Sequence, residues 1–278
     1  MISAESLSNN CELLLKRWRK DLSLNNLEKE LFSGEIKVLD SQLNKLKEKC
    51  FRITAFGRVG VGKSSLLNSL IGEEIFPTDV AHGCTRNAKT FLWEKSLGKV
   101  NKVELMDTPG IDEISAKARS RLASRLALQA DLVLFVVDSD ITAIELEALE
   151  VLLNRNKPLL LVLNRCDQWN HLDLQNVLTS IRNRLPLFAR NIEIQTVAAA
   201  PRKAIIQRDG HVRSEKVKPQ IKSLKKSLIE LIKSEGELLL TFNSLRQADS
   251  FYQSIKIGRV QRNKSAAQSL IGKFATIK

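Results

Sequence analysis

The sequence predicts an α/β protein centred on a three-layer domain with a mostly parallel, six-stranded sheet. Three observations carry this expectation. Short apolar runs alternate with helical stretches from residue 51 to about residue 200. The runs are apolar throughout, as strands covered on both faces are. A glycine-rich turn, GRVGVGKSS, joins the first run to a helical stretch, SSLLNSLI.

Taken in order, residues 1–50 read as helical. Ile36, Leu39, Leu43, Leu46 and Cys50 recur at steps of three and four, which puts them on one helix face. Two heptads fall short of a coiled coil, so this segment is expected to pack on the main domain. FRITAF, KTFLWE, KVELMD, DLVLFVVD, PLLLVLN and IEIQTVA read as strands. Between the later ones, IELEALEVLL and LQNVLTSIRNRL have helical periodicity. Only a few residues around Gly98 separate KTFLWE from KVELMD, too few for a crossover helix, so that pair should be antiparallel. After residue 200 a basic loop, PRKAIIQRDGHVRSEKVKP, precedes further helix. There Ile221, Leu224, Leu228 and Leu231 form one stripe, and Phe242, Leu245 and Tyr252 a second. The expected organisation is therefore a helical segment over 1–50, the α/β domain over 51–200, and a basic loop with helices over 201–278. The close, SLIGKFATIK, is apolar-periodic without a capping signal and reads as the interior of a longer chain.

A chain of 278 residues supports one sizeable core and a smaller addition. The four cysteines lie far apart with no CxxC pair, and the three histidines are scattered, which gives a zinc site little to build on. A reducing, cytoplasmic compartment is expected. The first twenty residues carry Glu5 and Glu12 and lack the pattern of a secretory signal. The longest apolar runs, LVLFVV and PLLLVL, are too short to span a bilayer. Charge is uneven: residues 1–200 hold 27 Lys and Arg against 25 Asp and Glu, whereas residues 201–278 hold 17 against 6. The basic C-terminal part suggests an anionic partner there, or else a solvated helical surface.

Gly57 to Ser64 fits the pattern GxxxxGK[ST], between a strand and a helix. The pattern has a mechanical sense. Glycines let backbone close around a phosphate, and the loop's N–H groups and the helix N-terminus face the anion. Lys63 reaches the terminal phosphates, and the Ser64 hydroxyl can ligate Mg²⁺. Gly57, Arg58, Val59, Gly60, Val61, Gly62, Lys63, Ser64 and Ser65 are thus the candidate nucleotide cradle.

Two further segments sit at strand ends, DTPG at 107–110 and NRCD at 164–167, where open α/β sheets bind ligands. Together with the phosphate loop and TDVAHGCTRN, they resemble the translation-factor-related P-loop GTPases of the Era and TrmE-like branch. The resemblance covers residues 51 to about 200. It implies a GTP- and GDP-binding domain that hydrolyses GTP with Mg²⁺. Ser64, Thr85 and Asp107 would hold the metal, and the Gly110 N–H would sense the γ-phosphate. Lys63, Thr85 and Gly110 would serve the reaction itself. Asn164, Arg165 and Asp167 would read the base, with Arg165 stacked over it. An ionised carboxylate only accepts hydrogen bonds, which suits the adjacent N1–H and N2–H₂ of guanine. Ala198 and Ala199 would hold the far base edge through their N–H groups.

Departures from the family pattern qualify this. Arg165 stands for the usual lysine, Ala198 for a serine, and Gly60 for the asparagine of potassium-stimulated members, so activation by monovalent cations is not expected. Ile111 follows DTPG, where Ras-like members place a water-orienting glutamine, and Val59 crowds the space an arginine finger would enter. Slow intrinsic turnover is expected, with the water held by backbone or by a partner. Arg58 and Arg86 could supply charge in cis but read as surface arginines, and Cys84 as a loop-packing residue.

The region after residue 200 resembles that of bacterial, especially cyanobacterial, GTPases that continue into a hydrophobic C-terminal domain of unknown function. That resemblance implies a membrane-associated switch on an anionic surface, at the inner face of a membrane. The alternatives are an RNA or ribosome-assembly factor using the basic helices, and a GTP-gated scaffold that docks proteins through the Ile36–Cys50 face. A nucleotide-dependent dimer is compatible with each.

Overall fold

The computed structural model describes residues 4–78, 89–112, 122, 129–206 and 212–275. The chain forms two compact units, one of Met1–Glu48 with Leu240–Lys278 and one of Lys49–Leu239.

The larger unit holds the expected sheet. β1 (Cys50–Phe56), β2 (Lys89–Leu97), β3 (Val100–Asp107), β4 (Leu132–Val137), β5 (Leu159–Leu163) and β6 (Ile194–Thr196) lie in the order β2-β3-β1-β4-β5-β6. All pairings are parallel except β2 with β3. Strand β4 is buried at every position, and Phe51, Ile53, Phe56, Leu105, Leu134 and Phe135 are fully enclosed. Each such side chain contributes about 1.5–3 kcal/mol by leaving water, so the central strands are the least movable part of the unit. Parallel order places the C-terminal ends of β1, β3, β4 and β5 along one edge, and GRVGVGKSS, DTPG and NRCD leave from that edge.

Helices here begin on recognisable caps. α4 (Lys63–Ile71) starts at Gly62 and stops at Gly72, both left-handed. α5 (Ala143–Asn154) opens on a capping box between Thr142 and Glu145, and α6 (His171–Arg184) on an Asn170 cap. The expected basic loop differs from the observed structure. Arg202–Ile206 (β7) and Val212–Lys216 (β8) pair as an antiparallel hairpin, exposed at every position described, with Arg202 opposite Lys216 and Lys203 opposite Glu215. Neither strand, RKAII or VRSEK, alternates polar with apolar residues, so no period-2 pattern marks them in the sequence.

The last helix, α7 (Lys222–Ala275), is continuous over 54 residues and contributes its first part to this unit and the remainder to the other. In the first part Ile221, Leu224 and Leu228 are buried as expected, but Ile232 rather than Leu231 completes the stripe. Gly236 lets the helix come close to β3, since a Cβ there would lie 2.9 Å from Val100 Cγ2. Lys225 lies over the Trp93 ring and donates to the Leu70 carbonyl, as does the Trp93 indole N–H.

The smaller unit contains α1 (Ala4–Asp21), α2 (Asn26–Leu31), α3 (Ser33–Glu48) and the later part of α7. Leu39, Leu43 and Leu46 are buried as their spacing predicts, whereas Cys50 has already passed into β1. The expected second stripe on α7 is reversed. Phe242, Leu245 and Tyr252 are exposed, and Leu240, Thr241, Ser244, Gln247, Ala248, Phe251 and Ile255 face inward. Several polar contacts lie inside this unit: Gln42 Nε2 donates to Ser244 Oγ at 3.2 Å, and Thr241 Oγ1 meets Ser8 Oγ at 3.1 Å. Hydrogen bonding of that kind compensates for burying polar atoms.

Glu28 is the central charge of this unit. It closes the Asn25 capping box, receives Arg259 Nε at 2.8 Å, and pairs with Arg262. The hydrogen bond from Arg259 is the main reason its carboxyl is held near 2. A depressed carboxyl contributes stability that is complete above its ordinary value near 4.5 and is lost as pH falls toward 2. Acid titration of helix content by circular dichroism is therefore expected to show a loss over that window, and Glu28→Gln is expected to flatten it while lowering stability at neutral pH.

Candidate functional site

The loop from Gly57 to Gly62 is held by the rest of the site. Lys63 is buried, and its Nζ donates to the carbonyls of Gly57 at 3.1 Å and Arg58 at 2.6 Å, folding the loop around its own ammonium. Gly62 has φ +89°, and a Cβ on it would lie 2.3 Å from Asn164 Nδ2. Asn164, at the end of β5, donates from that amide to the Val61 carbonyl at 2.9 Å and accepts the Ala199 N–H at 3.0 Å. One buried side chain thus joins the phosphate loop, the NRCD segment and the TVAAA segment.

Ser64 and Asp107 meet beside this loop. Ser64 Oγ donates to Asp107 Oδ2 at 2.6 Å, and Asp107 is fully buried at the end of β3. Thr108 fixes the turn after it, its N–H on Asp107 Oδ1 and its hydroxyl on the Ala55 carbonyl. Two hard oxygens side by side suit Mg²⁺, which takes one or two protein oxygens and completes its shell with phosphate and water. Among the described residues no three His, Cys, Asp or Glu cluster as a metal cage.

After Asp107 the chain runs against the phosphate loop. A Cβ on Gly110 would lie 2.1 Å from Val59 Cγ2 and 2.7 Å from Val59 N, so only glycine permits this approach. Ile111 is wholly buried in the core with Phe56 and Val137, and its N–H points to the Gly57 carbonyl at 3.3 Å. Its neighbour Asp112 accepts the Val59 N–H at 2.7 Å. Thr85, Cys84 and Arg86 lie outside the described residues.

Several site residues have partners within the protein. Arg58 is no free surface arginine: its Nε donates to the buried Glu145 at 2.8 Å and its Nη2 approaches Asp138 at 3.3 Å. Hydrogen bonding to Glu145 pushes the guanidinium pKa further up, so it stays charged and held. Arg165, in a left-handed conformation, bonds Asp138 at 2.9 Å and the Gly60 carbonyl. The Ala198 N–H donates to the Gln220 carbonyl at 3.1 Å and that of Ala199 to Asn164, so both N–H groups assigned to the base are engaged within the protein. A β-bridge from Ala198 to Gln220 and the Ser69 hydroxyl on the Ala199 carbonyl fix this segment instead. Asp167, three residues after Asn164, is exposed. Glu145, Asp138 and Asp112 were not singled out in the sequence. Of these, Glu145 had a legible signal, the T-x-x-E capping pattern.

Residues 52–165 match the family described as 50S ribosome-binding GTPase. This stretch is similar to the P-loop GTPase domains of bacterial GTPases. Over 123 residues the chain is 34% identical to GTPase Der of Rhizobium johnstonii, covering 42% of this chain and 25% of that protein. Over 140 residues it is 38% identical to the tRNA modification GTPase MnmE of Lactococcus lactis subsp. cremoris, covering 48% and 29%. The chain thus spans only about a quarter of the length of these curated relatives. Among solved structures, Era of Aquifex aeolicus bound to GDP.AlF4- aligns with a TM-score of 0.50 and 21% identity over 65% of this chain and 56% of that one, a likeness of fold.

Gly62 is constrained twice over, by its left-handed backbone and by the Asn164 amide against it. Gly62→Ala combines a left-handed side chain with a clash on Asn164 and is expected to destabilise the domain by about 2 kcal/mol or more. Thermal unfolding of the purified variant checks this, and an unchanged midpoint would refute the constraint.

Proposed function

We propose that this chain binds GTP and GDP with Mg²⁺ and hydrolyses GTP slowly, as a nucleotide-dependent switch. The observation that carries the reading is the Asn164 junction, which holds the phosphate loop beside the exposed Asp167. Phosphates would lie on the loop N–H groups and Lys63, and the base would reach Asp167. Ser64 and Asp107 would hold Mg²⁺, joined by Thr85, and the ion would neutralise charge on the terminal phosphates. Ile111, packed in the core, offers no group to orient water, which supports a low intrinsic rate. The Val59 side chain against Gly110 leaves an inserted arginine little room.

Calorimetry tests the reading directly. GTP and GDP are expected to bind and ATP to fail, because adenine presents a lone pair at N1 to the Asp167 carboxylate. Asp167→Asn exchanges an acceptor for a donor and should shift preference from guanine toward xanthine nucleotides, whose C2 oxygen accepts. Equal heats with ATP and GTP would end the proposal.

We further infer action at an anionic membrane surface, in the cytoplasm at the inner face of a membrane. No helix among the described residues is long and apolar enough to cross one. The support is the basic C-terminal part and the outward side of α7, where Phe242, Leu245 and Tyr252 stand exposed beside Arg246 and Lys256. Each Lys or Arg near such a surface contributes about 1 kcal/mol. A second reading, RNA binding, is favoured by the exposed hairpin carrying Arg202, Lys203, Arg213 and Lys216. Era has been solved with MgGDPNP and nucleotides 1506–1542 of 16S ribosomal RNA. Flotation with phosphatidylglycerol vesicles, run beside filter binding of structured RNA, separates them. The membrane reading expects flotation that Phe242→Glu with Tyr252→Glu abolishes. Salt-sensitive RNA retention without flotation would replace it. Light scattering with GDP and with a non-hydrolysable GTP analogue would show whether the chain pairs in one state.

A further inference from the structure

We propose that Asp138 is a positioning residue for the nucleotide, a single carboxylate that couples the phosphate loop to the base-reading loop through two arginines. The inference rests on the guanine-nucleotide reading above and concerns the same site.

Asp138 directly follows β4, between the two loops, and its side chain is 17% exposed. One of its oxygens faces Arg58 Nη2 at 3.3 Å and the other Arg165 Nη1 at 2.9 Å. Arg165 returns to the phosphate loop through the Gly60 carbonyl. The connections therefore close a circuit: Arg58 of the loop, Asp138, Arg165 of NRCD, and back to the loop at Gly60. Arg58 is anchored from behind by Glu145, whose other oxygen accepts from the Thr142 N–H and hydroxyl at the start of α5. That anchor leaves Arg58 little freedom to follow Asp138, so the carboxylate has a fixed seat and Arg165 is the partner it orients.

Chemistry explains why an arginine needs this help. Its guanidinium carries donors in a rigid fork and is satisfied when two acceptors meet it, whereas a lysine can turn a single ammonium toward one. Gly60 supplies one acceptor and Asp138 the other. Arg165 also has positive φ, an unfavourable conformation for a side chain with a Cβ, so the fork must hold the residue in place. Since phosphates and base belong to one ligand, fixing Arg165 against the phosphate loop sets the distance between the two ends of the nucleotide pocket. The sequence already contained the departure from the usual lysine, and Asp138 is the residue that accommodates it.

The test measures dissociation of a fluorescent GDP from the whole chain, for wild type, D138N, R165K and the double variant. Dissociation from D138N is expected to be on the order of tenfold faster, the size of a lost charge-assisted bond. In the R165K background the same change is expected to alter the rate less than twofold, because a lysine held on Gly60 no longer depends on residue 138. D138E, which keeps the charge, should recover most of the wild-type rate. A purely structural role would instead give D138N the same penalty in both backgrounds, together with a matching fall in the thermal midpoint of the free protein, and that result overturns the proposal. So does release from D138N at the wild-type rate. Should D138N fail to fold, R165K alone decides: release slower than wild type would show that the fork contributes nothing. If wild type binds no guanine nucleotide, the underlying reading fails first, which is a distinct outcome.

Discussion

Three loops that arrive from different parts of the sequence share one side-chain amide, that of Asn164. Its nitrogen donates to the phosphate loop at Val61 and its oxygen accepts from Ala199, while it lies against the face of Gly62 that no other residue could leave open. Because it is buried, each of these bonds replaces water that cannot reach the site, and losing one would leave an unpaired polar group at a cost of about 1–3 kcal/mol. The shape of the cradle follows. Lys63 can fold the loop over itself only if the far side is held, and Ser64 meets Asp107 only where α4 begins at the position that Gly62 allows.

The sheet supplies the fixed frame for that junction. Asp107, Asp138 and Asn164 stand at or just beyond the ends of β3, β4 and β5, and parallel pairing brings these ends to one edge. Segments distant in sequence are thereby held close enough for side chains and single backbone hydrogen bonds to join them. The approach of Gly110 to Val59 is the tightest of these, and it couples the turn after Asp107 to the loop at van der Waals contact.

How much of this was readable in the sequence depended on the range of the interaction. The strands were legible because burial on both faces leaves an unmixed apolar run, and the cradle because glycine, lysine and hydroxyl positions are fixed by local geometry. The antiparallel β2–β3 pair followed from the short connection at Gly98. The hairpin of 202–216 was missed because its strands, RKAII and VRSEK, lack an apolar alternation and are dense in charge. The reversed face of α7 was missed because periodicity gives the angle between residues and not which side is inside. There Ser244 and Thr241, which meet partners inside, outrank Phe242 and Tyr252. The charged circuit around Asp138 was invisible for a similar reason, since its bonded pairs lie 27 to 105 positions apart. The base-edge N–H groups of Ala198 and Ala199 went elsewhere because Gln220 and Asn164 compete for them.

The polar lining of the smaller unit has one further consequence. An interior of leucines alone tolerates a helix sliding by a turn, since one greasy contact replaces another at little loss. Gln42 with Ser244, Ser8 with Thr241, and Glu28 with two arginines do not permit this. Slippage would strand each partner, so the helices have a single allowed alignment, and the unit gives up cohesive strength in return for being unambiguous.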